Sequence, residues 1–486
     1  MEPFAHAQVV PIHLLEHLAS CDGLGPTPTP VVPAPQEPPF PAGASGRPAA
    51  SEQLTPAKPF TQAKPFMQAK PFTQAERSRV AKAARATLLL DQALRHGPVE
   101  PAETHLPGAE TAGASARTVF DAKRSEFLPG AAVRTDAGRS PEEEAPADPS
   151  DREACPEAAE RAFEALGAAR DCLADIARVV DGLEALKAFS AGAPATEPWP
   201  ILDPATVARP WATASFPACQ LPWIGKQAVE RAVGALPLQA TVRFGNGYQN
   251  AFHAGAAVAL GEGDGLVLGS LAASPSVVGH ALAHGLLRHA GPSDTGHPQD
   301  GSRHDGGQAG ALRVSLADVV GVLVEQHAAG HTADQASWLL GEDLFTDRVN
   351  ARALRSLAAP GTAYDDPLLG RDPQPDHMDG YLDAAAGHAA HLNAGIPNRA
   401  FHLAATVLGG YAWERAGAIW LAAALSRPLP ADAGFALFAR RTVREAGRLF
   451  GPGSAEQSAV RAAWAAVGVS AAARAEAGPA RAGAAL

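Results

Sequence analysis

Two histidines, His280 and His284, stand four residues apart in Val277-Val278-Gly279-His280-Ala281-Leu282-Ala283-His284-Gly285. That spacing is about one helical turn, so both imidazoles share a helix face and can grip one metal ion. In the motif His-Glu-x-x-His, the residue after the first histidine is a glutamate that activates metal-bound water for hydrolysis. Here that residue is Ala281, whose methyl group accepts no proton. The stretch has the frame of a metal-assisted hydrolase and lacks the group that does the chemistry. A second pair, His327 and His331, has the same spacing. Gly330 and its polar neighbours mark that pair as a solvated helix end, with a metal site as the alternative. Asp294, His297, His304 and Asp305 add metal-capable groups in a Gly-rich stretch, at spacings that fit no ligand pattern.

The chain that must position these groups has 486 residues, more than one domain's worth, and 46% of them are hydrophobic, enough for a sizeable core. A formal net charge of -11 argues against a nucleic-acid partner. Cys21, Cys155, Cys172 and Cys219 form no Cys-x-x-Cys pair, so neither a zinc knuckle nor a disulfide scaffold is indicated. Cys21 and Cys155 fall in stretches expected to be poorly ordered. No run of about 18 apolar residues is found, so no transmembrane helix and no membrane partner are expected. Met1 to Leu18 lacks the basic start and apolar core of a secretory signal, which leaves a cytoplasmic location or export by another route.

A short helix is expected after Pro11, since proline is tolerated in a first turn. Residues 24–56 are proline-rich and read as extended or disordered chain. Three hexads follow, Ala57-Lys58-Pro59-Phe60-Thr61-Gln62, Ala63-Lys64-Pro65-Phe66-Met67-Gln68 and Ala69-Lys70-Pro71-Phe72-Thr73-Gln74. They are too few and too short for a solenoid, and read as a linker or a repeated docking motif. Apolar spacing predicts helices over 76–96 and 157–190, with an acidic linker at 140–152 between them. Residues 191–225 read as loop. Strand signals occupy 240–244 and 256–260, with Gly245-Asn246-Gly247 as a turn between them. The chain reads as mostly helical after about 275, with an Ala/Gly/Arg-rich tail from about 470.

The run Thr241-Val242-Arg243-Phe244-Gly245-Asn246-Gly247-Tyr248-Gln249-Asn250-Ala251-Phe252-His253, together with the stretch ending at Gly265 and the 277–285 helix, resembles the thermolysin family of neutral metalloproteinases. Asn393-Ala394-Gly395-Ile396-Pro397-Asn398, Trp413-Glu414-Arg415-Ala416-Gly417 and the closing Ala463 to Val469 agree, in family order. Val9-Val10-Pro11-Ile12-His13-Leu14-Leu15 is similar to the short propeptide of the protealysin-like branch, with Ile12 and His13 where that branch has proline and tyrosine.

The resemblance implies an α+β, two-lobed fold: an N-terminal β-rich α/β lobe, a central metal-site helix and a C-terminal α-helical lobe. It divides the chain into a propeptide segment (1–22), a linker with the hexads (23–77), an N-terminal lobe with the central helix (78–289), a C-terminal lobe (290–469) and a tail (470–486). It makes His280 and His284 zinc ligands and puts Val314 at the third ligand, normally a glutamate. Asp318 takes the place of the aspartate that orients a ligand histidine. His391 matches the histidine that stabilises the oxyanion. Its family partner, an aspartate five residues upstream, is Ala386 here; Asp383 replaces it only if the loop rearranges. The family's active-site tyrosine has no counterpart. Asn250 and Ala251 match positions that bind substrate backbone, Arg355 the arginine that meets a substrate carbonyl, and Leu354 and Val277 the walls of an apolar side-chain pocket.

Zinc is therefore implied by ancestry and undercut by the residues; calcium is left open. Three readings follow. One is a catalytically impaired relative whose cleft binds an extended peptide or a protein. The second is an active zinc endopeptidase with a rebuilt metal site. The third is a decaying gene product.

Overall fold

The computed structural model describes residues 8–23, 71–96, 117–124, 128, 131–136, 138–139, 151–190, 238–254, 257–289, 307–383, 388–426, 429–430 and 432–471. The first two hexads, the 191–225 loop, the 290–306 stretch with His297 and His304, Ala386 and the tail beyond 471 lie outside the described residues.

Six strands form the sheet of the first lobe: β1 (Thr118–Asp121), β2 (Ala131–Thr135), β3 (Gly138–Arg139), β4 (Gln239–Val242), β5 (Ala251–Ala254) and β6 (Ala257–Leu260), in the order β3-β2-β1-β4-β6-β5. β4 runs parallel to both β1 and β6, and Ala240 and Val242 are buried, as strands covered on both faces require. The expected turn is present, with Gly245 and Gly247 both at positive φ. It does not join two neighbouring strands. An additional short strand, β5, comes between the two expected ones in chain order, and those two pair in parallel. The turn signal was local, whereas the pairing is set by tertiary packing. β5 is an edge strand, with a side open to another chain segment.

Among the described residues, ten helices follow in chain order: α1 (Ile12–Ala19), α2 (Gln74–His96), α3 (Asp151–Ser190), α4 (Pro275–His289), α5 (Gly307–Ala329), α6 (His388–Asn393), α7 (Gly395–Leu408), α8 (Ala418–Leu425), α9 (Phe435–Phe450) and α10 (Ala455–Ala466). α3 begins at Asp151, inside the expected acidic linker, and Cys155 lies within it. Cys21 is also held, its thiol 3.4 Å from the Arg77 carbonyl. α5 is long and apolar enough on average to cross a membrane by length and composition, although Arg313 and Asp318 interrupt its apolar run. Of that apolar window, 78% is buried within the protein, so α5 is the central core helix of this fold.

The second half is mostly helical, as expected, with one stretch that the sequence did not resolve. Between α5 and α6 the chain forms short two-residue strands, including β7 (Leu339–Leu340) and β8 (Arg355–Ser356), which pair with each other. Each pairing segment is too short to leave a periodic signal. The C-terminal helices close over Trp420 and Trp464, stacked at 6.0 Å between centroids.

α2 starts from the third hexad. Thr73 Oγ1 accepts the Glu76 N–H at 3.2 Å, and the Glu76 carboxylate accepts the Thr73 N–H at 2.8 Å, a reciprocal cap. The Arg348 guanidinium lies 4.3 Å over the Phe72 ring and 3.1 Å from Glu76. Phe72 and Thr73 of the last hexad copy are thus part of the fold.

Candidate functional site

The site is built where α4 and α5 cross. A side chain at Gly321 would put its Cβ 2.4 Å from the Ser276 carbonyl, and one at Gly279 would lie 3.0 Å from Val324. These two glycines let the helices approach closely. One turn before Gly321, Asp318 then reaches His280: Asp318 Oδ1 is 2.7 Å from His280 Nδ1. Arg355 from β8 grips the same carboxylate with both arms, Nε to Oδ2 at 2.9 Å and Nη2 to Oδ1 at 2.8 Å. Asn398 of α7 donates its Nδ2 to Oδ2 at 2.8 Å. All of this is buried. Burial alone would raise the Asp318 carboxyl, but the Arg355 charge and the His280 contact overcome it and hold the group below the usual carboxylate range.

The ionised Asp318 fixes the histidine tautomers. A proton on His280 Nδ1 faces the carboxylate, which leaves His280 Nε2 as an acceptor. His284 Nε2, 3.1 Å away, then donates to it. Burial lowers the pKa of both rings. For His284, the neighbouring His280, His253 and His391 push further in the same direction. The two nitrogens that would face a metal are engaged with each other.

Val314, the third-donor position by resemblance, lies four residues before Asp318 on the same face of α5 and is buried. Ala281 is fully buried. Among the described residues no group of three His, Cys, Asp or Glu side chains is arranged to hold a metal. A catalytic zinc uses three protein donors and an open position. This donor set offers two histidines and an isopropyl group, and it does not fit. The second histidine pair is also no ligand pair: His327 Nε2 bonds Asp175 of α3 at 2.8 Å and its ring packs edge-on against Trp413, while His331 is exposed.

The residues expected to grip a peptide converge on the chain's own N-terminal segment. Gln8 bridges Phe252 in antiparallel fashion, adding to the β5 edge. Val9 N–H donates to the Ala251 carbonyl at 3.1 Å, and Val10 N–H to Asn250 Oδ1 at 2.8 Å. Arg355 Nη1 donates to the Val9 carbonyl at 2.8 Å. His391 Nε2 lies 2.9 Å from the Gln8 carbonyl. Burial, with help from Arg355, pushes the His391 pKa down to about 3, against the Gln8 carbonyl that favours its charged form. A neutral His391 therefore donates Nε2–H to that carbonyl. Val277 and Leu354 are buried in the main core. Asp383 lies at the end of a described stretch, and no bond to His391 is seen among the described residues.

Sequence reasoning gave no role to Asn398, Asp91 or His253. Asn398 sits in a stretch quoted for resemblance only. Asp91 lies on a helix read for its apolar face, where a polar residue counts as solvated. His253 is buried against Gly285, too close for any side chain there.

Comparison with known proteins matches this arrangement. Residues 223–288 match the catalytic domain of thermolysin metallopeptidases and residues 306–469 their alpha-helical domain. An extracellular metalloprotease of Pectobacterium carotovorum subsp. carotovorum is 42% identical over 240 residues, covering 48% of this chain and 64% of that protein. Protease PrtS of a Photorhabdus strain is 42% identical over 218 residues, covering 44% of this chain and 56% of its own length. The chain thus spans less than two thirds of the length of these curated relatives. The solved precursor of protealysin, a metalloproteinase from Serratia proteamaculans, superposes with a TM-score of 0.60 at 31% identity, covering 96% of this chain and all of that one. This chain belongs to the thermolysin family of metallopeptidases. Its two-lobed α+β fold is the family's, and its likeness is to the protealysin-like branch.

Proposed function

We propose that this family member holds an extended peptide segment in its cleft without hydrolysing it. One observation carries the reading. Consecutive backbone groups of Gln8, Val9 and Val10 are held by His391, Arg355, Ala251 and Asn250, while the positions for water activation and for the third metal donor are Ala281 and Val314. Strand addition at a sheet edge supplies main-chain affinity whatever the side chains of the peptide. Hydrolysis also needs an activated water and a polarised carbonyl. Loss of the general base alone removes roughly 10²–10⁴-fold.

The occupant seen is the chain's own N-terminal segment; another extended peptide or protein strand would use the same groups. The segment is anchored by more than its backbone, since Val9, Val10, Leu14, Leu15 and Leu18 are fully buried in the main core. His13 adds a 3.0 Å bond to the Tyr364 hydroxyl.

The alternative is an active zinc endopeptidase with a rebuilt metal site. It is supported by the surviving orientation of His280 by Asp318. One experiment separates the two. The full chain is incubated with zinc and a fluorogenic peptide, and its intact mass is followed. The expected result is no turnover and a chain that stays at 49.9 kDa. Chelator-sensitive turnover, or loss of the N-terminal segment by self-cleavage, would establish the alternative.

A further inference from the structure

We propose that Asp91 is a positioning residue for the Asn250 clamp: a buried carboxylate from α2 that fixes the orientation of the Asn250 amide, and thereby how tightly the cleft holds an extended backbone. The proposal rests on the peptide-holding reading above and deepens it.

An asparagine amide offers an acceptor oxygen and a donor NH2 of nearly the same size, and a half-turn of its terminal torsion exchanges them. Only one orientation suits the cleft. In the structure Asn250 Oδ1 accepts two N–H groups, from Val10 at 2.8 Å and from Ala251 at 2.9 Å. Turned over, the NH2 would face both of those donors, and the clamp would repel the backbone it now binds.

The other end of the amide decides the matter. Asn250 Nδ2 donates to Asp91 Oδ2 at 3.2 Å. Asp91 is 4% exposed, and its second oxygen accepts the hydroxyl of Tyr248. A carboxylate has acceptors only, so it can meet the NH2 and never the oxygen. One turn earlier on the same helix, Thr87 Oγ1 accepts the Gln249 N–H at 3.0 Å. α2 therefore backs residues 248–250 with three bonds, and the same Asn250 Nδ2 also donates to the Val10 carbonyl at 3.5 Å. The helix lies outside both family-matched spans, so the clamp's orientation depends on a part of the chain that those spans do not contain.

The test is amide hydrogen exchange of the full chain, followed by mass spectrometry. In Asp91→Asn, the new amide can no longer accept from both Tyr248 and Asn250, and exchange in residues 8–15 is expected to quicken by about tenfold, while α3 is unchanged. The reciprocal pair Asp91→Asn with Asn250→Asp rebuilds the network with donor and acceptor swapped. The carboxylate now at position 250 accepts the Val10 and Ala251 N–H groups and one N–H of the amide now at position 91. The oxygen of that amide accepts the Tyr248 hydroxyl. The pair lacks only the long bond from position 250 to the Val10 carbonyl and is expected to recover most of the tenfold change, a rescue that a simple packing role for Asp91 does not produce. Should the single variant fail to fold, recovery of folded protein in the pair reads the same coupling. Unchanged exchange at 8–15 in Asp91→Asn, or a pair that exchanges as fast as the single variant, overturns the proposal. Either result leaves the peptidase assay untouched, whereas chelator-sensitive turnover would remove the peptide-holding reading whatever Asp91 does.

Discussion

Arg355→Met gives the sharpest test of how the site is wired. Arg355 and Asp318 are both fully buried and joined by two bonds at 2.8 and 2.9 Å. Removing one partner of such a pair leaves an uncompensated charge, which costs about 3–5 kcal/mol. Met fills much of the arginine stem's volume, so the loss reads charge more than cavity. Urea unfolding at pH 7 measures it. The pH dependence has a definite sign. In the parent, the depressed Asp318 contributes stability that is present above its unfolded pKa of 3.8 and lost only as pH falls through the lower folded value. In Arg355→Met, burial is the leading influence and moves the carboxyl up, so folding then favours protonation and the deficit narrows as pH falls from 7 towards 4. Adding Asp318→Asn removes the stranded charge, and the double variant should be more stable at pH 7 than Arg355→Met alone. A loss below about 1 kcal/mol, as found for solvent-screened pairs, would refute the reasoning. So would a double variant that is no better than the single.

Three further outcomes follow from other parts of the molecule. Burial, with Glu342 and Asp343 nearby, pushes Glu325 up to about 7 against its bonds to Ser276; stability should therefore fall by about 3 kcal/mol as pH rises from 4.5 to 7, and urea titration of Glu325→Gln should show that slope gone. Val314→Glu restores a third donor, so zinc at 100-fold over its Kd should raise the stability of that variant by about 2.7 kcal/mol while scarcely moving the parent, as thermal unfolding with and without zinc will show. Thr73→Ala removes the α2 cap and should cost about 1 kcal/mol, with faster proteolysis confined to the start of that helix.

Much of the fold was legible because it rests on local signals and on family segments in order: α2 and the long α3 follow from apolar spacing, α1 from Pro11 at a helix start, and the histidine helix from its motif. What escaped was set by contacts between distant parts of the chain. β5 is four residues long and exists because β6 and residues 8–10 flank it. The short strands between α5 and α6 carry Arg355 to Asp318 across 37 residues, and no local pattern announces such a bond. At the site, the sequence shows directly an alanine at 281 and a valine at 314, where the resemblance puts a base and a metal donor. The occupation of the cleft by residues 8–10 needed geometry, since in sequence Val9 and Val10 read as an apolar segment similar to a propeptide, with no partner named for either. Asp91 escaped for the same reason, a polar residue on a helix whose buried polar partner lies 159 positions away.

The most direct measurement of the central claim is the metal content of the purified full chain after incubation with excess zinc and desalting, read beside peptide cleavage with and without chelator. Two histidines bonded to each other, with Val314 and Ala281 beside them, predict well under one zinc per chain and no chelator-sensitive cleavage. One retained zinc per chain accompanied by cleavage that chelator abolishes would contradict it.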